Sequence, residues 1–498
     1  MEKHILSKST FIRAKQCLKS LYLYKNNIYL RDKLSKEQQA RFNRGINVGL
    51  LAQQLFPNGI DASPKHVSLF HESVNKTREL IQNGTPIIYE AAFQHNGILI
   101  ALDILVNENG KWNAYEIKSS AKITPTYITD AALQYYVIKG CGIEIENFYI
   151  VHINTSYVRK GIINVHELFK INNVTKDVLK QQENIAQVLQ LAFETLQKNE
   201  APPINPGPHC FDPYPCDFKG HCWKNIENVE IFEFNGLSKQ QQFEWYNKGW
   251  EKIEEVPIEE LPNATLKKQA EAAKTNSIIV DKVKLQNFLS GLHYPLYFMD
   301  FEIMITAVPL FQNTSPYQQL PIQFSIYRQD NYDSEYLHFS FLAETGEDPR
   351  IEFTKSLISV CGNQGSILVY DISSERSVLN QLIEAFPEFE KPLQAIVSRL
   401  VDLSIPFREL FLYHPKMRGS TSIKNVATAF CDDINFDALP INNGQLASIA
   451  FESLQQENDI FKILELKEQL KAYCKLDTWA MVRIWQEINR IILNNPKI

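Results

Sequence analysis

Three acidic residues of this chain are spaced so that they would lie side by side on a β-sheet. Asn96-Gly97 and Asn109-Gly110 are strong signals for two-residue hairpin turns. With these turns, Glu90 lies opposite Asp103 on the next strand, and Asp103 lies opposite Glu116 on the third. The spacing therefore predicts a row of three acids across a β-meander.

This row of acids needs a compensating charge, because like charges on neighbouring strands repel each other. A bound Mg²⁺ or Mn²⁺ would remove the repulsion, since hard cations prefer carboxylate oxygens. Lys118 shares the face of the acids because strand side chains alternate with a period of two. The alternative interpretations are an exposed acidic sheet face and a register that is shifted by one residue.

A second set of acids lies in the C-terminal half of the chain. Asp300 and Glu302 are two residues apart in an apolar run, and therefore on one face of a predicted strand. Tyr473 and Asp477 are one helical turn apart near the C-terminus. Glu375 lies at the start of a predicted helix between them. Acids on a strand and two helices can hold two metal ions about 4 Å apart, as in phosphodiester cleavage.

Four of the eight cysteines are candidate metal ligands. Cys210, Cys216 and Cys222 lie in a proline-rich stretch that cannot be regular structure, and Cys17 precedes them by almost two hundred residues. This spacing argues against a zinc ribbon or finger, whereas distant thiolates can hold a [4Fe–4S] cluster. His209 and His221 are alternative ligands if the metal is zinc.

The remaining cysteines are interpreted as ordinary core residues. They are Cys141, Cys361, Cys431 and Cys474.

The predicted elements that carry these residues form two α/β patterns. The first has helical residues from 1 to 56 with a cap at Ser7 or Ser9, β-rich runs in 86–118, and helices at 127–139 and 175–198. The second has strands at 296–302, 321–328 and 337–342, and helices at 350–361, 375–385 and 457–493. We therefore expect a first domain at 1–225, a helical connector at 226–285 and a second domain at 286–498.

The composition is typical of a folded globular protein, with 44% hydrophobic and 22% charged residues in a chain of 498. No run approaches the about 18 apolar residues of a membrane helix, so we expect no membrane partner. The N-terminal residues lack the apolar region of a signal peptide, which predicts a cytoplasmic protein.

The net charge of −6 hides an uneven distribution. Seven lysines and four arginines against three acids give the first 50 residues a charge of +8, which leaves −14 for the rest. A basic segment on an acidic body is compatible with phosphate binding in one place and metal-binding carboxylates elsewhere. It is equally compatible with a solvated, basic helical surface.

The first set of acids resembles the core of the PD-(D/E)xK nuclease superfamily, in particular its RecB-like, AddB-like and CRISPR-associated iron–sulfur nucleases. The resemblance lies in LD-x₁₂-EIK, which ends in Glu116 and Lys118. It implies that Asp103 and Glu116 hold the metal and that Lys118 orients or activates the attacking water. Glu90 would be a further acid, and Gln134 resembles the glutamine of the family's helix.

The cysteines are similar to the AddB-type arrangement, with one cysteine before the nuclease core and three after it. This resemblance implies a [4Fe–4S] cluster that joins the two ends of the domain. Its ligands would be Cys17, Cys210, Cys216 and Cys222.

The second set of acids resembles the DnaQ-like 3′–5′ exonuclease branch of the ribonuclease H-like fold. The resemblance implies that Tyr473 positions the attacking water and that a second-motif acid is Glu375, with Asp371 as the alternative. Asp402 is interpreted as a structural acid at a strand end, with metal contact as the alternative. The implied metal ligands are Asp300, Glu302, Glu375 and Asp477.

Together these resemblances imply a PD-(D/E)xK restriction-endonuclease-like domain followed by a ribonuclease H-like domain. We expect a metal-dependent exonuclease acting on nucleic acid, with DNA as the expected substrate, in repair, recombination or mobile-element defence. No G-x₄-GK[ST] loop is present, so unwinding of a duplex would require a separate helicase. The alternatives are an iron–sulfur nucleic-acid-binding module with a degenerate second domain, and an interaction protein whose acids form a solvated surface.

Overall fold

The computed structural model describes residues 6–455 and 457–493. The chain divides into two compact units. The first contains the residues up to Glu227 together with Thr306–Tyr317, and the second contains Asn228–Ile305 and the residues from Gln318 onward. Residues 228–285, for which the sequence suggests a connector, belong to the second unit. Within the described ranges, no helix is both long enough and apolar enough to span a bilayer.

The first unit is a mixed α/β structure. Its helices and strands are β1 (Leu6–Ser7), α1 (Lys8–Gln16), α2 (Leu18–Asn26), α3 (Lys36–Ala52), β2 (Ile60–Asp61), α4 (Phe70–Gln82), β3 (Ile87–His95), β4 (Ile98–Glu108), β5 (Lys111–Lys118), α5 (Pro125–Gly140), β6 (Ile145–Ile153), α6 (Val165–Leu168), β7 (Phe169–Asn173), α7 (Thr175–Lys180), α8 (Gln182–Leu196) and α9 (Lys219–Cys222). The predicted cap at Ser7 is confirmed by its bonds to the first turn of α1. The single helix predicted at 175–198 is wrong, since α7 and α8 are separate helices on either side of Gln181.

The sheet of the first unit has the order β2-β3-β4-β5-β6-β7, and β1 pairs with β4. Strands β3, β4 and β5 form the predicted antiparallel meander, and β5 pairs with β6 in parallel after the crossover through α5. Asn96, Gly97, Asn109 and Gly110 all have positive φ, as the turns between these strands require. The observed pairs Ala91–Leu102 and Ile104–Tyr115 confirm the register that the turns predict.

Both faces of this sheet are covered. One apolar cluster joins the sheet to α1, α2, α5 and α8 through residues such as Phe11 and Leu189. The other joins it to α3 through Val48, and it includes Ala307 from the segment Thr306–Tyr317. Burial of apolar side chains on both faces is the main stabilising contribution to such a layered structure.

The second unit is also mixed α/β. Its helices and strands are α10 (Lys239–Asn247), α11 (Ala264–Thr275), β8 (Ile279–Val280), α12 (Lys282–Ser290), β9 (Leu296–Met304), β10 (Leu320–Gln329), β11 (Tyr336–Leu342), α13 (Arg350–Cys361), β12 (Ile367–Val369), α14 (Ser373–Ala385), α15 (Glu390–Val397), β13 (Leu400–Asp402), α16 (Ile405–Arg408), β14 (Leu412–Tyr413), α17 (Ile423–Phe430), α18 (Gly444–Leu454) and α19 (Ile460–Leu493). Its main sheet has the order β11-β10-β9-β12-β13, and β8 pairs separately with β14.

The two faces of β9 pack against different layers. Tyr297, Met299 and Phe301 belong to an apolar cluster that includes residues of α13, α14 and α15. Leu296 and Phe298 belong to a cluster that includes residues of α17 and α19. Because strand side chains alternate, Asp300 and Glu302 lie on the face that α19 covers.

Candidate active sites

The acid row of the first unit lies where the regular alternation of the sheet is interrupted. Glu90 has a φ of 50°, outside the strand range, and it leaves the ladder between Tyr89 and Ala91. On the opposite strand, Leu102 and Ile104 pack into different apolar clusters although they are two residues apart. The pairs Tyr89–Ile104 and Ala91–Leu102 keep one register, so the interruption involves no inserted residue. Non-glycine residues in the left-handed region are uncommon and cluster at active sites.

The structure brings the predicted acids of this row together. Asp103 accepts a hydrogen bond from the backbone N–H of Ile117, with an oxygen–nitrogen distance of 2.5 Å. Glu116 is 2% exposed and accepts a hydrogen bond from Lys118 at 2.8 Å. Lys118 Nζ also donates to Asp130 at 2.6 Å. The predicted lysine is therefore bound between two carboxylates.

A second lysine, which the sequence did not indicate, lies in the same cluster. Lys8 Nζ, at the start of α1, donates to both carboxylate oxygens of Glu116, at 3.0 and 3.3 Å. Lys8 and Glu116 are 108 residues apart in sequence, so no local spacing relates them. The sequence did not indicate Asp130 either, because a single acid inside a predicted helix is not part of any recognisable motif.

The two lysines set the protonation of the acids. Burial opposes ionisation, but the ammonium groups of Lys118 and Lys8 lower the pKa of Glu116 well below its usual range. Burial, together with the charge on Glu116, raises the pKa of Asp103 well above its usual range. Burial also raises the pKa of Glu90 to about 7. The surroundings therefore favour the ionised form of Glu116 and the protonated forms of Asp103 and Glu90.

Gln134 is fully buried on α5, and its side chain contributes to the low pKa of Glu116. Neither of its amide atoms reaches a partner in good hydrogen-bonding geometry, and Oδ1 of Asp130 is also unpaired. Buried polar atoms without partners are costly, and a bound water, a bound ion or a catalytic role can account for them. These atoms therefore support a ligand site at the acid row.

A cavity of about 560 Å³ lies beside this cluster. Its lining includes the first turn of α5, Lys15 of α1, and the loop residues His209 and Tyr214. The side chain of Tyr127 on α5 also lines it, and Lys118 Nζ is 5.2 Å from the centre of that ring. Tyr214 is 50% exposed, so its ring is available to a ligand. The lining of the cavity thus combines the ammonium of Lys15, the carboxylate of Asp212, the N-terminus of α5 and aromatic rings.

The four predicted cysteine ligands line one small cavity. His209 also lines it, and its Nε2 is 3.8 Å from Cys210 Sγ. Burial raises the pKa of the thiols of Cys17, Cys216 and Cys222. The cysteine cavity is therefore a site that could hold a metal or a cluster through thiolates from both ends of the first unit.

An ion-pair group fixes the loop beside this cavity. Asp217 accepts two hydrogen bonds from Arg13, at 2.5 and 2.9 Å, and one from Arg31 at 2.5 Å. Burial acts in the opposite direction, but the hydrogen bonds and charges of these arginines lower the pKa of Asp217. Part of the basic N-terminal charge is therefore used inside the first unit.

The four cysteines interpreted as core residues have three kinds of environment. Cys361 and Cys431 are buried, as expected. Cys141 is exposed, because it caps the C-terminus of α5 at the surface. Cys474 is buried but lies against Asp300, with 3.8 Å between its sulfur and the carboxylate. The prediction of a core position is wrong for Cys141, whereas Cys474 has a core position and also contacts a carboxylate.

In the second unit, hydrogen bonds fix α19 over the strands that carry the acids. Ser325, which pairs with Asp300 across the sheet, lies 2.6 Å from the hydroxyl of Thr478. Gln323, which pairs with Glu302, donates to the carbonyl of Leu470 at 3.1 Å. The segment of α19 between these two contacts is therefore held directly above the acids.

This segment carries the predicted helix residues Tyr473 and Asp477. The hydroxyl of Tyr473 donates to the Asp477 carboxylate and lowers its pKa, whereas burial acts more strongly and raises it to about 6. Asp477 is 6% exposed, and its Oδ1 has no partner. Burial, with the charges of Asp477 and Glu302, raises the pKa of Asp300 well above its usual range. The acids destabilise one another unless they are protonated or neutralised by a cation.

Glu375 and Asp371 occupy different environments. Glu375 is 4% exposed, and burial together with Asp371 and Asp402 raises its pKa to about 8. Its charge acts on Asp300, and its Oε2 has no partner. Asp371 is exposed and accepts a hydrogen bond from Ser373. The geometry therefore favours Glu375 as the acid nearest to the site.

Asp402 has a structural environment. It accepts hydrogen bonds from the backbone N–H groups of Ser404 and Asp371, and it forms an ion pair with Arg408. These partners use both carboxylate oxygens. The structural interpretation of Asp402 therefore agrees with its contacts.

Two further features of the second site have no signal in the local sequence. The ammonium of Lys424, on α17, lowers the pKa of Glu302, although burial and the neighbouring acids raise it overall. Gly444 begins α18, and a Cβ there would lie 3.6 Å from Glu302 Oε2. The positive end of the α18 dipole therefore lies next to this carboxylate.

A family model described as a domain of unknown function (DUF2779) matches residues 297–422. The match begins in β9 and includes Asp300, Glu302 and Glu375, and it ends before Tyr473 and Asp477. No curated protein sequence matches the chain.

Proposed function

We propose that this protein is a metal-dependent nuclease with one active site in each unit. The first unit would be a PD-(D/E)xK nuclease and the second a ribonuclease H-like, DnaQ-type 3′–5′ exonuclease. The observation that carries the proposal is the convergence of buried carboxylates in the second unit. Asp300 and Glu302 each offer a carboxylate oxygen to a group of ligand atoms that lie within 4.8 Å of one another. Asp477 acts on the pKa of Asp300, and its buried Oδ1 has no partner, which a bound cation would supply.

In the first site, a divalent cation held by Asp103 and Glu116 would polarise the scissile phosphate and lower the pKa of a bound water. Lys118 is bonded to Glu116 and is positioned to hold the attacking water or a phosphate oxygen. In the second site, the cation ligands would be Asp300, Glu302, Glu375 and Asp477. Tyr473 is bonded to Asp477 and would orient the water there.

The cavity beside the first site supports a nucleic acid as substrate. Lys15 and the first turn of α5 can contact phosphates, and Tyr127 and Tyr214 can stack on unpaired bases. DNA is the proposed substrate, and a separate helicase would supply single strands from duplex. The four cysteines would hold a [4Fe–4S] cluster with a structural role, and the neighbouring His209 keeps zinc as the alternative.

The test is cleavage of end-labelled single- and double-stranded DNA and RNA in Mg²⁺ or Mn²⁺. We expect Lys118→Ala to abolish one product pattern and Asp300→Ala the other, and the double variant to abolish both. Lys122→Ala and Asp437→Ala are matched controls, since both side chains are exposed outside the two sites. Undiminished cleavage by the double variant would refute the proposal. Tight DNA binding without any turnover would favour a binding module instead.

A further inference from the structure

The thiol of Cys474 belongs to the acid cluster of the second unit. Cys474 is fully buried on α19, with its Sγ 3.8 Å from Oδ2 of Asp300. One ligand atom each from Asp300, Glu302 and Cys474 lie within 4.8 Å of one another. A cysteine that only filled space would be surrounded by carbon, whereas this thiol faces two carboxylates.

These distances fit a cation that accepts sulfur. A tetrahedral Zn²⁺ binds thiolate sulfur at about 2.3 Å and carboxylate oxygen at about 2.1 Å, which places the two ligand atoms roughly 3.6 Å apart. The observed sulfur–oxygen separation of 3.8 Å, across which the thiol donates a hydrogen bond to Oδ2 of Asp300, is close to this value. Mg²⁺, by contrast, takes oxygen ligands in octahedral geometry and gains nothing from a thiol.

A fourth group independently indicates a missing ligand. Asp477 lies three residues after Cys474 on the same helix, and therefore on the same side of α19. Its buried Oδ1 has no hydrogen-bond partner. Burial and the charge of Asp477 together raise the pKa of both Asp300 and Glu302. A cation between these groups would give the orphaned oxygen a partner.

We propose that Asp300, Glu302, Cys474 and Asp477 bind a thiophilic divalent cation such as Zn²⁺, with Cys474 as a thiolate ligand. Binding releases the thiol proton to the solvent and forms a metal–sulfur bond, without oxidation or reduction. Thiolates select zinc-like cations over Mg²⁺ and Mn²⁺. The catalytic role of this cation rests on the proposed function. Its binding does not, because cation binding is measurable without a substrate.

The test uses Co²⁺ as a spectroscopic substitute for Zn²⁺ in the full-length protein as purified. Wild type should develop a thiolate-to-cobalt charge-transfer band that saturates with the occupancy of the site. Cys474→Ser should lose the part of the band intensity that corresponds to one bound Co²⁺ per protein. Its second unit should bind Co²⁺ at least tenfold more weakly. Cys361→Ser is the matched control, since Cys361 is equally buried in the same unit, and it should titrate like wild type.

Difference spectra between the variants remove any signal from the cysteines of the first unit, which all of these proteins share. If Cys474→Ser does not fold, Asp300→Asn supplies the second variant, and it should weaken the same band while keeping the thiol. Identical titrations of wild type and Cys474→Ser, or of wild type and Asp300→Asn, would overturn the inference. A cobalt–thiolate band in a protein without nuclease activity would leave the inference standing and refute the proposed function. Nuclease activity without the cobalt–thiolate band would support the proposed function and refute the thiolate-bound cation.

Discussion

Glu116 and Glu302 are both almost fully buried, with exposures of 2% and 5%, yet their neighbours give them opposite charge states. Lys118 and Lys8 bond directly to Glu116 and lower its pKa. Glu302 is surrounded by burial and other acids, and Lys424 offsets only part of their effect. The neighbours of Glu116 therefore favour its ionised form, whereas those of Glu302 favour its protonated form, which a bound cation would reverse.

At the scale of single residues, Lys8 should stabilise the metal-free first site. Lys8→Met removes an ammonium from a buried carboxylate, which we expect to lower the free energy of unfolding by about 2 kcal/mol in a chelator. Mn²⁺ should restore more stability to the variant than to wild type, because the cation replaces the lost charge. Thermal unfolding with EDTA and with Mn²⁺ measures both effects. Lys33→Met, at an exposed position, is the control, and equal Mn²⁺ responses in both variants would contradict the role of Lys8.

The raised pKa of Glu375 predicts a pH dependence of stability. A carboxyl with a higher pKa in the folded protein binds more protons when folded, so the free energy of unfolding falls as the pH rises. For Glu375 this loss occurs between about 4.5, the ordinary value, and about 8.

Glu375→Gln should therefore stabilise the metal-free protein at pH 8 by a few kcal/mol and change little at pH 4. Denaturant unfolding in EDTA from pH 4 to 9 tests this expectation. Glu384→Gln, at an exposed position on the same helix, should keep the slope of wild type. If the free energy of unfolding of Glu375→Gln depended on pH in the same way as that of wild type, the pKa of Glu375 would not be raised in the folded protein.

At the scale of the element, α19 carries part of the second site, and polar contacts with β10 add to its apolar packing. The hydroxyl pair Ser325–Thr478 and the bond from Gln323 to Leu470 bracket the turn that bears Tyr473 and Cys474. A helix positioned in this way fixes three side chains at once, since residues three and four apart share one side. The acids of β9 therefore depend on the placement of α19 to form a site.

The loop between α8 and α9 should contribute to strand binding in the first unit. Gln16 donates to the carbonyls of His209 and Tyr214, which fixes the loop against α1 and leaves the Tyr214 ring half exposed at the cavity. Loss of one stacked base costs about 1–3 kcal/mol, so Tyr214→Ala should weaken single-stranded DNA binding by about tenfold or more. Fluorescence anisotropy in Ca²⁺ or EDTA measures binding without cleavage. Tyr29→Ala, at an exposed tyrosine outside the cavity, should bind like wild type, and equal affinities for both variants would exclude stacking on Tyr214.

At the scale of the whole molecule, each unit has its own sheet and its own candidate site. The first unit is closed by contacts between its two ends, where Cys17 meets the loop that carries Cys210 and Cys216. Arg13 and Arg31 bind Asp217 in the same region. These contacts join residues about two hundred positions apart, so forming them closes a long loop and costs chain entropy, which a metal or cluster bound to the cysteines would offset.

Loss of one cysteine ligand should therefore affect the first unit selectively. Cys216→Ser should lower the unfolding temperature of that unit by more than about 5 °C if a metal or cluster is bound there. Hydrogen exchange of peptides from both units shows where the loss occurs, and peptides of β9 and α19 should keep their protection. Cys141→Ser, at the exposed cysteine of the same unit, is the control. Equal protection in both variants would argue against a bound group at the cysteine cavity.

The short-range pattern of the sequence determined the elements and the residues that each contributes. Asn-Gly turns fixed the register of the meander, and apolar periodicity located α5, α13 and α19 to within a few residues. These features depend on backbone geometry and on neighbours a few residues apart, which a single sequence contains. The same reasoning placed Asp103 with Glu116 and Asp300 with Glu302.

Only the tertiary structure decided what surrounds those acids. Lys8, Lys424 and Cys474 reach them from helices that are distant in sequence, and the left-handed backbone of Glu90 interrupts the strand beside the acid row. Such contacts arise from the packing of whole layers, where burial of apolar surface fixes which helix covers which strand. Periodicity specifies which face of a helix is buried, but the partner of that face depends on the entire fold. The identity of the charges and thiols around each carboxylate was therefore settled by packing.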